Sequence, residues 1–502
     1  MNMKWQTPLW PGLAVLFMAI ISLAAQAGIN PVLTFHDPDG VVADNFGYSV
    51  ALSGNGTTAL ISAFSAPLNE ISTGKAYIYS RINGVWSAAP LAVFENPNTT
   101  ALGVFGWAVA LSGDDSVAMI TAPNYTPRST SNYSRVYIYI STNGIWSPTP
   151  LAELQNPGLK DGECFGCSVA LSADGKTALV GAVATDNSQG YPVGAVYAFK
   201  QNNGTWSPKP VAVFSGPAIT NYCGEFGYSL ALSADGTTAL IGDPQGCGPG
   251  KVFVYALTNG AWVTTPTVVL ESPIPITFDN FGDSVALSSD GTIALIGARH
   301  ANGTNAGNAY GSAYIFTAAS DNWDPLPVAI LNDPNAPSDQ AAGDFFGGSV
   351  ALSGDGATAF IGAPGAPVLS NSVSVGKAYV FTQTNGLWSI VPKATFADPE
   401  AAENLYLDEF GTSISLSSNG AVALIGTPQT PGLSPPPPNN VPTYGGPGLA
   451  YVYESSNGWG NPSPPSGSGG SGGGGAIGWL SLAALLGILL VRRQAMAARC
   501  GR

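Results

Sequence analysis

Along this chain a strand-like alternation of small and larger residues repeatedly gives way to a continuous apolar run. Tyr228-Ser229-Leu230-Ala231-Leu232-Ser233 alternates, as a strand with two unlike faces should. Asp235-Gly236 follows and suits the positive φ angles of a tight turn. Ala239-Leu240-Ile241-Gly242 is apolar throughout, the pattern of a strand covered on both faces. Lys251 to Tyr255 predicts a third strand, Asn259-Gly260 a second turn ahead of Trp262, and Pro266 to Leu270 a fourth strand. The small Ser and Ala of the first strand suit an innermost position, where sheets crowd around an axis.

This unit recurs with Phe-Gly starting at Phe46, Phe105, Phe165, Phe226, Phe281, Phe346 and Phe410. Steps of that length suit one four-stranded sheet each, and such periods point to a propeller or solenoid. The phase decides between them. Segments like the fourth strand begin at Pro31, Pro90, Pro150, Pro210, Pro266, Pro327 and Pro392, and the first of these precedes any Phe-Gly. The last unit runs through Leu449 to Tyr453 and Trp459 and then lacks a fourth strand. Pairing the amino-terminal strand with that last sheet would close a ring and remove two exposed edges. The predicted fold is an all-β, seven-bladed β-propeller closed by its N-terminal strand.

Phe226-Gly227, Ile241-Gly242-Asp243-Pro244 and Val252-Phe253-Val254-Tyr255, with Ile361-Gly362-Ala363-Pro364, resemble the bacterial FG-GAP repeat, a relative of the integrin α-chain propeller. Integrin-type copies hold calcium in an Asp-x-Asp-x-Asp-Gly loop between the first two strands. Here that loop has shrunk to a turn, as in Ser172-Ala173-Asp174-Gly175 or Ser288-Ser289-Asp290-Gly291. One carboxylate cannot supply the six to eight oxygens that calcium takes, so neither a metal nor another cofactor is expected.

The termini predict export. Residues 1–27 carry Lys4, an apolar stretch from Leu13 to Leu23 and Ala25-Gln26-Ala27, the pattern of a signal peptide. The propeller is assigned to 28–459 and a flexible Gly/Ser/Pro linker to 460–475. Residues 476–502 hold an apolar segment, Ala476 to Val491, short for a spanning helix, then Arg492-Arg493. Gly472 to Gly475, Trp479-Leu480-Ser481-Leu482 and Arg492-Arg493 resemble the GlyGly-CTERM sorting tail of Gram-negative bacteria. That resemblance implies membrane insertion of the tail, cleavage by a rhomboid-type sorting protease, and delivery to the cell surface or outside. A lasting membrane anchor is the other reading of the same tail.

Composition narrows the partners. The formal charge is −14, but five of the 17 basic residues (Lys4, Arg492, Arg493, Arg499 and Arg502) lie in segments expected to be removed. The mature part then sets 12 basic residues against 31 acids, a net −19. Such a surface repels nucleic-acid phosphates and suits neutral or cationic partners. Cys164 and Cys167 flank one Phe-Gly, whereas Cys223 and Cys247 bracket the first two strands of the next unit. In an oxidising compartment these read as structural disulfides, Cys223–Cys247 preferred and Cys164–Cys167 the other pair.

No catalytic set stands out. His36 and His300 occupy unlike contexts, and no nucleophile is placed beside either. Acids recur just before the Phe-Gly: Asp44, Glu163, Asp279, Asp344 and Asp408 two residues ahead, and Glu225 one ahead. They would form an acidic ring at one mouth of the channel, either capping backbone amides or meeting a cation. Loops between second and third strands lie on this same Phe-Gly face and vary widely, from Asp243–Gly250 to Thr427–Gly448. The chain is therefore expected to be a non-enzymatic binding or adhesion propeller that recognises a surface protein or glycan on its Phe-Gly face. A secreted carbohydrate-active or other hydrolase using acids at the channel mouth is the alternative.

Overall fold

The computed structural model describes residues 29–459 except 42–43, 66, 69–70, 73, 99–103, 125–133, 159–162, 187–192, 218–223, 245–247, 302–309, 320–321, 335–342, 367–375, 401–408, 429–446 and 457. The signal-like segment 1–27, the linker and tail from 460 to 502, Asp408, Cys223 and Cys247 lie outside the described residues. Much of the variable loops does too. Among the described residues no helix is long and apolar enough to cross a membrane.

Every regular element among the described residues is a β-strand, and all but the small ladder of Pro67–Leu68 with Ile71–Ser72 form seven blades of one plan. In blade 1 the inner strand Phe46–Leu52 pairs with Thr58–Ala63, that with Lys75–Ile82, and Ala92–Glu95 makes the outer edge. The sequence reading places only a turn and a Trp between third and fourth strands. The structure adds a two-residue strand there, Val85–Trp86, folded back on the end of the third strand. Asn83 and Gly84 turn the chain at φ 52° and 81°, which is why Asn-Gly recurs at this corner.

Blade 7 closes the ring. Its strands run, from outside inward, Leu33–His36, Leu449–Glu454, Val422–Thr427 and Ser413–Leu416. Leu33 faces Val452 and Phe35 faces Ala450 in an antiparallel ladder, as the phase of the repeat predicts. Phe35 is buried and lies 4.2 Å, ring to ring, from Tyr79 of blade 1. The cores lie between blades: one cluster unites Phe35, Leu424 and Val452 of blade 7 with Phe46, Ile61 and Tyr79 of blade 1.

The Phe-Gly pair explains itself in this packing. Each Phe is buried against the third strand of its own blade, as Phe46 on Tyr77 at 5.6 Å and Phe281 on Tyr314 at 5.4 Å. Each Gly then turns at φ between 88° and 92°. A Cβ on Gly282 would stand 2.8 Å from the Lys251 carbonyl oxygen of the preceding blade, so both conformation and space demand glycine. The Ser that follows two residues after this Gly in most blades fastens the next junction. Ser229 Oγ donates to the Gly282 carbonyl at 2.7 Å, Ser284 to Gly347 at 2.7 Å, Ser349 to Gly411 at 2.7 Å and Ser413 to Gly47 at 2.8 Å. The last of these bonds spans the closure. Blades 1 and 2 carry Ser62 and Thr121 where the later blades have glycine in the second strand, and there the hydroxyls instead accept the amides of Ser49 and Ala108.

At the opposite mouth the first turns of all blades are joined by backbone hydrogen bonds. The amides of Ala173, Ala234, Ser289 and Gly354 donate to Ala234, Ser289, Gly354 and Ser418 at 2.7–3.0 Å. Ser418 donates to Gly54, Gly54 to Gly113, and Asp114 to Ala173, completing a collar. Within each turn a buried Ser hydroxyl organises the loop. Ser172 Oγ donates to Asp174 at 2.7 Å and accepts the amides of Lys176 and Thr177 at 3.2 and 2.9 Å. Asp174 also accepts the Lys176 amide at 3.0 Å. Partial burial raises the Asp174 carboxyl, but the bonds from Ser172 and Lys176 outweigh it and hold the group below the ordinary range. The aspartate of the turn is thus a structural acceptor.

Candidate functional site

The residue after Phe-Gly lies at the entrance to the inner strand, on the channel side. All seven such positions converge on one cavity of about 850 Å³ at the Phe-Gly mouth. Tyr48, Trp107 and Cys167 supply it from the first three blades, Tyr228 and Asp283 from the next two, and Gly348 and Thr412 from the last two. The residues on either side of this position are nearly constant, because they make the junctions described above. The position itself is different almost every time. This is the feature that sequence reading missed, although the one variable letter inside Phe-Gly-x-Ser was its visible signal.

The wall is divided by chemistry. On the side of blades 1 and 2, Tyr48, Phe64 and Trp107 pack on one another with ring centroids 4.6 to 5.3 Å apart. Mutual edge and tilted contacts of this kind fix the rings as a preformed platform. On the side of blades 4 and 5 the wall is polar. Arg299 Nη2 lies 3.4 Å from Asp283 Oδ1, an ion pair with the Asp283 side chain only 3% exposed and Arg299 33% exposed. Neither Asp283 Oδ1 nor Arg299 Nε has a hydrogen-bond partner among the described residues. Burial pushes the Asp283 carboxyl up to about 7, against the pull of Arg299 and with a further push from Glu225. His300 lines the same wall, its ring edge-on to Phe345 at 5.5 Å and its Nδ1 against Asn280 Oδ1. Burial, then the Arg299 charge, lower its pKa, so the imidazole is neutral at pH 7.

Asp44, Glu163, Glu225, Asp279 and Asp344 do not line the cavity, whereas Glu409, the residue before Phe410 and not singled out in the sequence, does. Asp44, Glu163, Asp279 and Asp344 are buried. Asp44 accepts the Phe46 amide at 3.0 Å, and Asp279 accepts those of Phe281 and Gly250 at 3.0 Å. Glu163 accepts Asn156 Nδ2 at 2.7 Å. The backbone amide of Glu225 donates to Asp243 at 2.9 Å, whereas its own Oε2 is buried without a hydrogen-bond partner among the described residues. Burial and neighbouring Asp37 push Asp44 up to about 8. Cys164 and Cys167 are disulfide-bonded, and Cys167 stands on the cavity wall. His36 is exposed on the closing strand and remote in role from His300. Among the described residues no group of three or more His, Cys, Asp or Glu is arranged to hold a metal ion.

Residues 32–79, 152–199, 276–316 and 336–381 match the FG-GAP repeat. Each matched stretch contains one Phe-Gly and the first three strands of one blade, so the chain carries FG-GAP repeats on a seven-bladed frame. No curated protein matches the chain.

Proposed function

We propose that this chain is an exported binding propeller that recognises a partner on its Phe-Gly face, with the mouth cavity as anchor point. One observation carries the reading: the variable position of a nearly constant Phe-Gly-x-Ser unit (Ala108 replaces the Ser in blade 2) lines one cavity in all seven blades. A constant frame that presents varied side chains inward is an arrangement for recognition, and a half-apolar, half-polar concavity is the usual form of a ligand site. The partner is a surface glycan or surface protein, in an adhesive role. The terminal segments support export: the signal-like residues 1–27 and the tail 476–502, cut by a rhomboid-type protease, would leave the propeller at the cell surface or free. Hydrolysis by cavity carboxylates is the lesser reading, because Asp283 is buried and already paired with Arg299.

The test is a triple variant, Tyr48→Ala, Trp107→Ala and Tyr228→Ala, of the exported chain in a cell-binding assay and on a glycan array. The expected result is lost binding with an unchanged circular dichroism spectrum. Full binding by the folded triple variant would refute the cavity as anchor. For export, the secreted protein should begin at Gly28 and end near Gly475 by mass; a mature chain retaining Arg492 would refute the processing step.

A further inference from the structure

Resting on the binding role just proposed, we propose that the mouth cavity takes the terminal sugar of a neutral glycan, its apolar face on the Tyr48–Trp107 platform and its hydroxyls toward Tyr228 and Arg299. Three features define that ligand. The platform is preformed and largely apolar, its rings set 48° to 66° to one another, so that one ring face, that of Trp107, can take the C–H face of a pyranose, whereas hydroxyls at the ring's edge need partners of the kind found opposite. Tyr228 is 37% exposed and Arg299 33% exposed at the side chain. The guanidinium donates to the Tyr228 oxygen, which leaves the phenol O–H and the remaining guanidinium N–H groups as the polar set on this side.

The second feature is charge. The cavity's arginine is already paired with buried Asp283, His300 is neutral, and Glu409 adds a carboxylate to the lining. An anionic sugar therefore finds an arginine already set against one carboxyl in a lining that adds a second, and it meets the field of an acidic protein. A hydroxyl both donates and accepts, and so suits a guanidinium and a phenol without requiring net charge.

The third feature is the floor. Seven backbones at about 4.8 Å, the spacing of hydrogen-bonded strands, set the collar at a radius of about 5.5 Å to their centres, which leaves about 7 Å across once the backbone's thickness is subtracted. Small residues such as Ala173 and Gly354 pack closely around it. That is no wider than a pyranose with its hydroxyls, so a glycan enters end first from the Phe-Gly mouth and its terminal residue is the one read.

The experiment uses the exported full chain on an array carrying neutral, sialylated and amino-sugar termini, followed by titration calorimetry with a neutral trisaccharide from the best-binding spot. Neutral termini should bind, and capping them with sialic acid should abolish binding. Trp107→Ala should weaken the trisaccharide by roughly tenfold or more, Trp107→Phe by less, with melting temperatures within two degrees or so of the parent. Preference for sialylated or amino-sugar termini, binding to internal units of a capped polymer, or full affinity in Trp107→Ala would each overturn the proposal. Cell binding that depends on Trp107 with no glycan bound would overturn this ligand class while leaving the Phe-Gly face as the recognition surface.

Discussion

The two mouths of the channel are built from the same seven repeats, yet they have opposite characters. At the turn mouth the copies are nearly identical: a buried Ser, a small residue, an Asp or Asn and usually a Gly, closed into a collar of backbone bonds. At the Phe-Gly mouth the frame is equally strict, but the residue it offers to the axis runs from Gly348 to Trp107. Repetition without variation marks what the ring needs for closure. Variation at one fixed geometric position marks what it presents to something else. Both mouths contain acids, and their placement separates them as well: Asp114, Asp174, Asp235 and Asp290 of the turns are held below the ordinary range by hydroxyl and amide donors, whereas Asp44 and Asp283 are pushed above it by burial.

The contrast can be broken at the frame first. Deleting residues 28–38 removes the outer strand of blade 7 and takes Phe35 out of the closing core. It should abolish cooperative unfolding and cause aggregation, read by thermal melting with light scattering; an unchanged melt would mean that the ring does not depend on its closure. Gly347→Ala comes next. It forces an L-residue to φ 90° with a Cβ 2.6 Å from the Ser312 carbonyl oxygen, and should cost about 2–4 kcal/mol in chemical denaturation. Ser172→Ala strips a buried turn of the acceptor for two amides and should cost about 1–2 kcal/mol.

The smallest expected effect is pH-dependent. Asp44 has a folded pKa of about 8 against 3.8 ordinarily, so between those values the folded chain holds a proton that the unfolded chain has released. Its contribution is thus most favourable at low pH and is lost as pH rises through about 8. Asp44→Asn keeps an oxygen for the Phe46 amide and mimics the protonated acid. The variant should gain stability relative to the parent as pH rises from 5 to 9. A constant difference across that range would show that Asp44 is ionised throughout.

The frame was legible in the sequence because its demands are local and repeated. Glycine at φ near 90°, Asn-Gly at the outer hairpin and a Phe beside the third strand each leave a fixed letter, and the phase of Pro31 to Phe35 revealed the closure. The cavity was less legible because it is an assembly of residues about sixty positions apart whose chemistry exists only after closure. Arg299 lies beyond the end of a second strand, and nothing in its neighbours along the chain announces Asp283 as its partner. The acids before Phe-Gly were conspicuous for the opposite reason: they recur, and recurrence here belongs to the frame. Asp44 and Asp279 accordingly hold backbone amides behind the wall.

Recognition at one mouth and structure at the other can be separated without knowing the partner. Thr412→Cys on the cavity wall and Lys176→Cys beside a turn, each carrying a bulky maleimide adduct, would block one mouth apiece. Cell binding should be abolished by the adduct at position 412 and unaffected by the adduct at 176. Binding that survives at 412, or is lost only at 176, would contradict the assignment of the Phe-Gly mouth as the recognition site.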